Sequence, residues 1–233
     1  IRTTDQLSQA VFPLPTHASR PTPLEEPWVT VEDVISELPP LDAANPKKAK
    51  SSIKFHHVPV LDEKKYWWVS NTPYGASAFD NQCVNPKCKS VKNLRHGTSA
   101  ESGVNQANRD TPIFCADCGA LLPRPSVEEN GQLRVMKGFT SAYKRMRGDL
   151  PSSALTRNLS YVSSDQKIHP SQNRVLSLLE AMMLHTITDY EWRWEHPNGR
   201  PISDKLIRET IGESIPPRGL QIIVNFALDN LLR

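Results

Sequence analysis

Apolar positions change rhythm twice along this chain. Over the first fifty residues they are sparse and interrupted by Pro13, Pro15, Pro21, Pro23, Pro27, Pro39, Pro40 and Pro46. Proline fixes φ and removes an amide donor, so most of this stretch is expected to run extended. Inside it Val31, Val34, Ile35 and Leu38 recur at helical spacing behind Thr30, with Glu32 and Asp33 in the first turn. A hydroxyl cap followed by early acids predicts a short helix over 31–38, ended by Pro39-Pro40. The basic run from Pro46 to Lys54, holding Lys47, Lys48, Lys50 and Lys54, reads as a linker or exposed loop.

From Ile53 to about Leu133 the pattern turns to short apolar bursts separated by Pro, Gly and Asn: Phe55, Val58 and Val60, then Trp67 to Val69, Ile113-Phe114 and Leu121-Leu122. Such bursts predict short strands in an irregular domain. Ser90 to Thr111 is almost devoid of apolar residues and is expected to be a mobile loop. The last sixty residues are helical in rhythm. Ser177 and Glu180 make a capping box ahead of Leu178, Leu179, Met182 and Met183. Ser203 caps a second helix over Asp204 to Ile211, with Gly212 as its stop. After Pro216-Pro217, Leu220, Ile223, Val224, Ala227, Leu228 and Leu231 repeat at three and four, predicting one buried face on a closing helix of about four turns.

Composition narrows the class. With 233 residues, 38% hydrophobic and 23% charged, the chain reads as an ordinary globular one, which excludes collagen-like, coiled-coil and fully disordered readings. No apolar run approaches the roughly 18 residues that span a bilayer, and no basic-then-apolar leader opens the sequence. Neither membrane insertion nor secretion is indicated. The net charge of +3 says little about partners.

Its distribution says more. Arg124, Arg134, Lys137, Lys144, Arg145, Arg147 and Arg157 meet only Glu128, Glu129 and Asp149 as local acids. A basic stretch of this kind suits phosphates, and Arg134, Lys137, Lys144, Arg145, Arg147 and Arg157 are the candidate DNA-binding residues. A solvated basic surface is the plainer alternative. Phe139, Tyr143 and Tyr161 nearby could stack on bases or belong to a core.

Cysteine supplies the sharpest chemical signal. Cys83 and Cys88 form one close pair and Cys115 and Cys118 another, with turns marked by Asn85-Pro86 and Gly119. Two pairs of thiolates on tight turns are the framework of a zinc ribbon, and four of them fill a tetrahedral sphere, so the ion would be structural. A disulfide set and free buried thiols are the competitors. His96 and the pair His56-His57 could replace one sulfur, though exposed polar histidines are the plainer reading.

Four ordered stretches resemble the C-terminal half of the DNA (cytosine-5)-methyltransferases. Lys167-Ile-His-Pro-Ser-Gln-Asn-Arg-Val-Leu-Ser-Leu-Leu-Glu180 is similar to the segment that follows that family's ninth motif, and Arg147-Gly-Asp-Leu-Pro151 with Ser153 to Thr156 to the ninth motif itself. Ile211-Gly-Glu-Ser-Ile-Pro-Pro217 resembles the tenth motif, and Trp28-Val-Thr-Val-Glu-Asp-Val-Ile-Ser-Glu-Leu-Pro39 the helix after the eighth. Two places depart from the family. Glu213 stands where the tenth motif has Asn, and Leu184-His-Thr-Ile-Thr-Asp-Tyr190 differs from the usual stretch there.

The resemblance implies an α+β chain. Residues 1–50 would be an extended connection, 51–165 an irregular target-recognition domain with a zinc-ribbon-like knot, and 166–233 helices completing an α/β methyltransferase domain. It implies S-adenosylmethionine as methyl donor, with Glu213 and Ser214 on the cofactor side, and duplex DNA as substrate. The family's methyl-donor loop and its Pro-Cys nucleophile have no counterpart in these residues, so no catalytic residue is assigned and the chain is expected to be inert alone. The catalytic half, in the same polypeptide or a separate subunit, would be its partner. The zinc-type insert resembles bacterial modification enzymes more than animal ones, implying a bacterial cytoplasmic, nucleoid-associated setting. A non-enzymatic zinc-ribbon DNA-binding or adaptor protein is the rival from another class.

Overall fold

Local capping sets the helices. A computed structural model describes residues 12–95, 111–139 and 141–230. Helix α1 (Val31–Ile35) begins where the Thr30 hydroxyl accepts from the Asp33 amide and the Asp33 carboxylate accepts from the Thr30 amide in return. It is shorter than the expected 31–38, since regular helix gives way at Ser36 before Pro39-Pro40 is reached. Helix α2 (Glu63–Ser70) starts at an Asp62 cap and contains Trp67 to Val69, which the burst pattern had suggested as a strand. Helix α3 (Leu178–Leu184) has the expected Ser177–Glu180 capping box. Helix α4 (Asp204–Glu213) is capped by Ser203 as expected, but Gly212 lies within it and does not end it. A 14-residue helix, α5 (Pro217–Asn230), follows.

Strands are few among the described residues. Strands β1 (His17–Ala18) and β2 (Glu26–Pro27) pair in parallel near the start. Strands β3 (Ser126–Glu129) and β4 (Gln132–Val135) form an antiparallel hairpin. Its two-residue turn is Asn130-Gly131, with φ of 52° and 73°, the left-handed pair that matches strand twist. Elsewhere single bridges do the work of strands, such as Phe114 opposite Leu121. The mixture is α+β, with no helix among the described residues long and apolar enough to cross a membrane.

Buried apolar side chains gather in four clusters. The largest joins Leu41, Val58, Trp68, Phe79, Tyr143 and Ile168, with the edges of Phe79 and Trp68 meeting Tyr143 at centroid distances of 5.9 and 5.7 Å. A second places Leu178 and Met182 of α3 against Ile207 and Ile211 of α4, with Trp192 and Trp194 alongside. A third sets Val31 and Ile35 on Met146 and Leu176. The fourth is small: Cys83, Cys115 and Leu122, with Cys88 and Ala120 against them.

Helix α5 departs from its expectation. Its apolar face is uncovered, with Leu220, Ile223, Val224 and Leu228 between 43% and 54% exposed and Ile215 just before it at 59%. The spacing read from the sequence is correct, but the face is not buried among the described residues. The Pro46–Lys54 run is an exposed loop, as one of its two readings had it, anchored by Ala49, which is buried in the main core and whose carbonyl accepts from the Val58 amide at 2.8 Å. Of the expected mobile loop, 96–110 lies outside the described residues, and Ser90 and Asn93 are bonded to the cysteine segments through Cys83, Cys115 and Ala116.

Candidate metal centre and basic face

The four cysteines converge. All four Sγ atoms lie within 4.8 Å of one another, with Cys83 to Cys118 at 3.7 Å and Cys88 to Cys115 at 3.9 Å. A tetrahedron of sulfurs about 2.3 Å from a zinc ion has edges of about 3.8 Å, so the sulfurs stand where an ion would hold them. None of the four is in a disulfide.

Two tight turns place them. The Asn85 carbonyl accepts from the Cys88 and Lys89 amides, both at 3.0 Å, with Lys89 at φ 49°. On the other side the Gly119 amide reaches the Cys115 carbonyl at 2.8 Å, with Gly119 at φ 70°. Asn93 braces the pair, its side-chain amide donating toward the Cys115 sulfur at 3.6 Å while its carbonyl oxygen accepts from the Ala116 amide at 2.9 Å. Burial would raise the Cys115 thiol, but amides of Asp117 and Cys118 outweigh it and bring the group down to about 6. Against the pull of the Ser90 amide, the neighbouring sulfurs, Cys118 foremost, push Cys88 up to about 12. Four crowded sulfurs cannot all carry charge unaided, and a divalent cation is what would let them.

His56 and His57 do not reach this cluster. His56 is buried, with Nδ1 2.9 Å from the Ser177 hydroxyl and Nε2 2.8 Å from the Pro39 carbonyl, which joins the exit of α1 to the cap of α3. His57 meets Asp204 at 2.5 Å. His96 lies outside the described residues.

The six candidate DNA residues divide sharply. Arg145 is a correction: it is buried and its five donors reach Thr72, Val69, His169 and Gln172 carbonyls and the Asn173 amide oxygen, at 2.6 to 3.0 Å. No N–H is left for a phosphate. Burial pushes it down to about 10, still charged at neutral pH. Arg124, also in the basic stretch, turns inward too, clasping the Asn81, Leu94 and Pro112 carbonyls at 2.8 Å each. Arg134, Arg147 and Arg157 lie outside, paired with Glu129, Asp149 and Glu213. Exposed pairs of this kind are screened by water and contribute little, so a phosphate can displace them. Lys137 and Lys144 have no ion pair among the described residues.

The remaining candidates meet at the α4–α5 junction. Glu213 holds Arg157 at 2.9 Å and is exposed. Ser214 shares a hydrogen bond with His185 Nε2 at 2.9 Å. Together they offer one wall: a carboxylate and a hydroxyl at the foot of the uncovered α5 face.

The segment from Lys167 to Glu180 is interior scaffolding. Arg174 and Glu180 are fully buried and joined by two bonds of 2.7 Å, and the Ser177 amide completes the carboxylate. Lys167, also fully buried, donates to the Ala154 carbonyl at 2.8 Å and the Ser153 hydroxyl at 3.2 Å. Sequence reasoning gave Lys167 and Arg174 no structural role and read Glu180 only as the acid of the capping box.

Similarity supports a relationship to the methyltransferases. The chain is 29% identical, over 204 residues, to the Type II methyltransferase M1.HgaI of Avibacterium volantium, a match covering 84% of this chain and 43% of that protein. It therefore spans less than half the length of that curated relative. No family model matches the chain.

Proposed function

We propose that this chain is the target-recognition and closing portion of a DNA (cytosine-5)-methyltransferase, acting in a bacterial cytoplasm within a restriction–modification system. Residues 51–165 would select the duplex, and residues 166–233 would return the chain to the half that carries the reactive thiol. The uncovered apolar face of α5 carries this reading. A helix with Leu220, Ile223, Val224 and Leu228 on one side calls for an apolar partner, and a catalytic domain is the partner that the methyltransferase likeness supplies.

The division of labour follows from the side chains. A structural zinc on Cys83, Cys88, Cys115 and Cys118 would fix the knot, and with four protein ligands it has no position open to substrate. Lys137 and Lys144, with Arg134, Arg147 and Arg157 released from their acids, would hold backbone phosphates. S-adenosylmethionine, when bound, supplies the methyl group; Glu213 and Ser214 would meet its polar groups from the α4–α5 junction. The flipped cytosine and its attacking thiol belong to the missing half.

The test is reconstitution. Purified chain, the polypeptide encoded by flanking sequence, duplex DNA and labelled methyl donor are combined singly and together, and the product base is identified by mass spectrometry. Methyl transfer to cytosine carbon five is expected only when both polypeptides are present. Turnover by this chain alone, or methylation confined to adenine, overturns the proposal.

A further inference from the structure

The turn from Asp42 to Ala49 is a rigid platform. The Asn45 carbonyl accepts from the Lys48 and Ala49 amides at 2.9 Å each, its side-chain oxygen from the Lys47 amide at 2.9 Å, and the Lys48 carbonyl accepts from Asp42 at 3.0 Å. Buried Ala49 stakes its far end. Lys47, Lys48 and Lys50 are exposed and line one open cleft of about 490 Å³, opposite Ser171 and Gln172.

Charge in this cleft is unbalanced. Among the described residues Asp42 is its one acid, and its oxygens accept from the Ala44 amide at 2.9 Å and the Tyr66 hydroxyl at 3.2 Å. Among the described residues none of the three lysines has an ion pair, whereas Lys65 pairs with Asp62 at 2.7 Å on the next element. Three ammonium groups around one concavity repel each other, and a polyanion entering it relieves that repulsion. The far wall is held from behind: Arg145 grips the Gln172 carbonyl at 2.6 Å and the Asn173 side chain at 3.0 Å. No aromatic side chain lines the cleft, so nothing there would stack on a base or a nucleoside.

We propose that Lys47, Lys48 and Lys50 form a second contact for the phosphate backbone of duplex DNA, independent of base sequence and sharing no residue with the Lys137–Lys144 face. It rests on the DNA reading above and adds a site that the basic-stretch argument did not contain. Lysine is a point charge without fork geometry, so the cleft grips and does not read.

The experiment measures fluorescence anisotropy of labelled duplexes of several sequences, titrated with the full chain across a salt series. It compares the unaltered chain, the triple variant Lys47→Ala, Lys48→Ala, Lys50→Ala, its Lys→Arg counterpart, and the double variant Lys137→Ala, Lys144→Ala. The triple alanine variant should lose about tenfold or more in affinity at low salt, equally for all sequences, with a salt slope smaller by about one per lysine. Arginine at the three positions should restore binding. If the triple alanine variant binds as the unaltered chain does while the double variant weakens, the cleft proposal fails and the DNA reading stands. If the unaltered chain binds no duplex at any salt, both fail.

Discussion

A guanidinium has five donors and no acceptor, so how many of them a fold consumes decides whether an arginine is available to a ligand. At Arg145 the fold consumes all five, and at Lys144, one residue away, it uses no side-chain donor in an ion pair. Arg145→Ala would strip the Thr72 and His169 carbonyls of the donor that meets them, while those of Val69 and Gln172 keep the Thr72 and Arg174 amides, at about 1–3 kcal/mol for each acceptor left dry. The expected result in thermal melting is a loss of about 3 kcal/mol or more, or failure to fold, whereas Lys144→Ala should melt unchanged and weaken DNA binding alone. An Arg145→Ala chain as stable as the original would contradict the assignment. His169 gives the pH counterpart. Burial, then the Arg174 charge, push its imidazole from 6.5 down to about 3 against the opposing pull of Glu180, with Arg145 and His56 adding to the depression. Its Nδ1 accepts from the Ser171 and Gln172 amides at 3.2 and 3.1 Å, which requires the neutral ring. The unfolded chain therefore binds a proton between pH 6.5 and 3 that the folded chain refuses, so this stability is complete above 6.5 and is lost as pH falls. Between pH 6.5 and 4.5, above the ordinary carboxylate range, His169→Asn should flatten the fall in urea midpoint; an unaltered slope would place its origin elsewhere.

Elements were legible where their signals are local. The hydroxyl cap at Thr30, the capping box at Ser177–Glu180 and the Ser203 cap of α4 are written within four residues of sequence and formed as expected. Helix α2 was hidden because Trp67 to Val69 looks like a buried strand unless Asp62, capping the Lys65 amide, is weighed first. The β3–β4 hairpin carried a readable signal in Asn130-Gly131 between alternating residues. What no local signal gave was long-range: which arginines turn inward, and that Gly212 is a contact. A Cβ on Gly212 would stand 2.1 Å from the Arg157 amide nitrogen and 2.3 Å from the Thr156 carbonyl carbon, so α4 crosses that backbone on a glycine. Two effects of Gly212→Ala oppose each other. Helix propensity favours alanine by about 1 kcal/mol, while forcing a methyl group into backbone costs about 1–3 kcal/mol or more. Because backbone yields less than a side chain, the clash should win: urea unfolding should show net destabilisation and loosening of the 155–157 segment. A stabilised variant would mean α4 does not lie there.

The whole molecule divides its stability unequally. Helices α1, α3 and α4 rest on their own apolar clusters, whereas among the described residues the cysteine cluster has only Leu122 as a large buried side chain beside its sulfurs. Burying one leucine contributes about 1.5–3 kcal/mol, which falls short of the entropy of fixing the turns around Cys83 to Cys88 and Cys115 to Cys118. A structural zinc contributes about 10–16 kcal/mol in comparable small sites and would close that gap if bound here. Arg124 couples the two regimes, since its guanidinium joins Leu94 and Pro112, flanking the knot, to Asn81, which follows the core residue Phe79. Purified chain should carry about one zinc ion. Chelation should expose the 83–122 region to protease and shift signals up to Arg124, while the helical signal of α3 and α4 persists because nothing there depends on the ion. Cys115→Ser, which removes the most amide-stabilised of the four sulfurs, should reproduce the chelated pattern without chelator. A metal-free chain whose knot still resists protease would show that the sulfurs meet for some reason other than an ion, and global unfolding on chelation would show that the helical clusters do not stand without the knot.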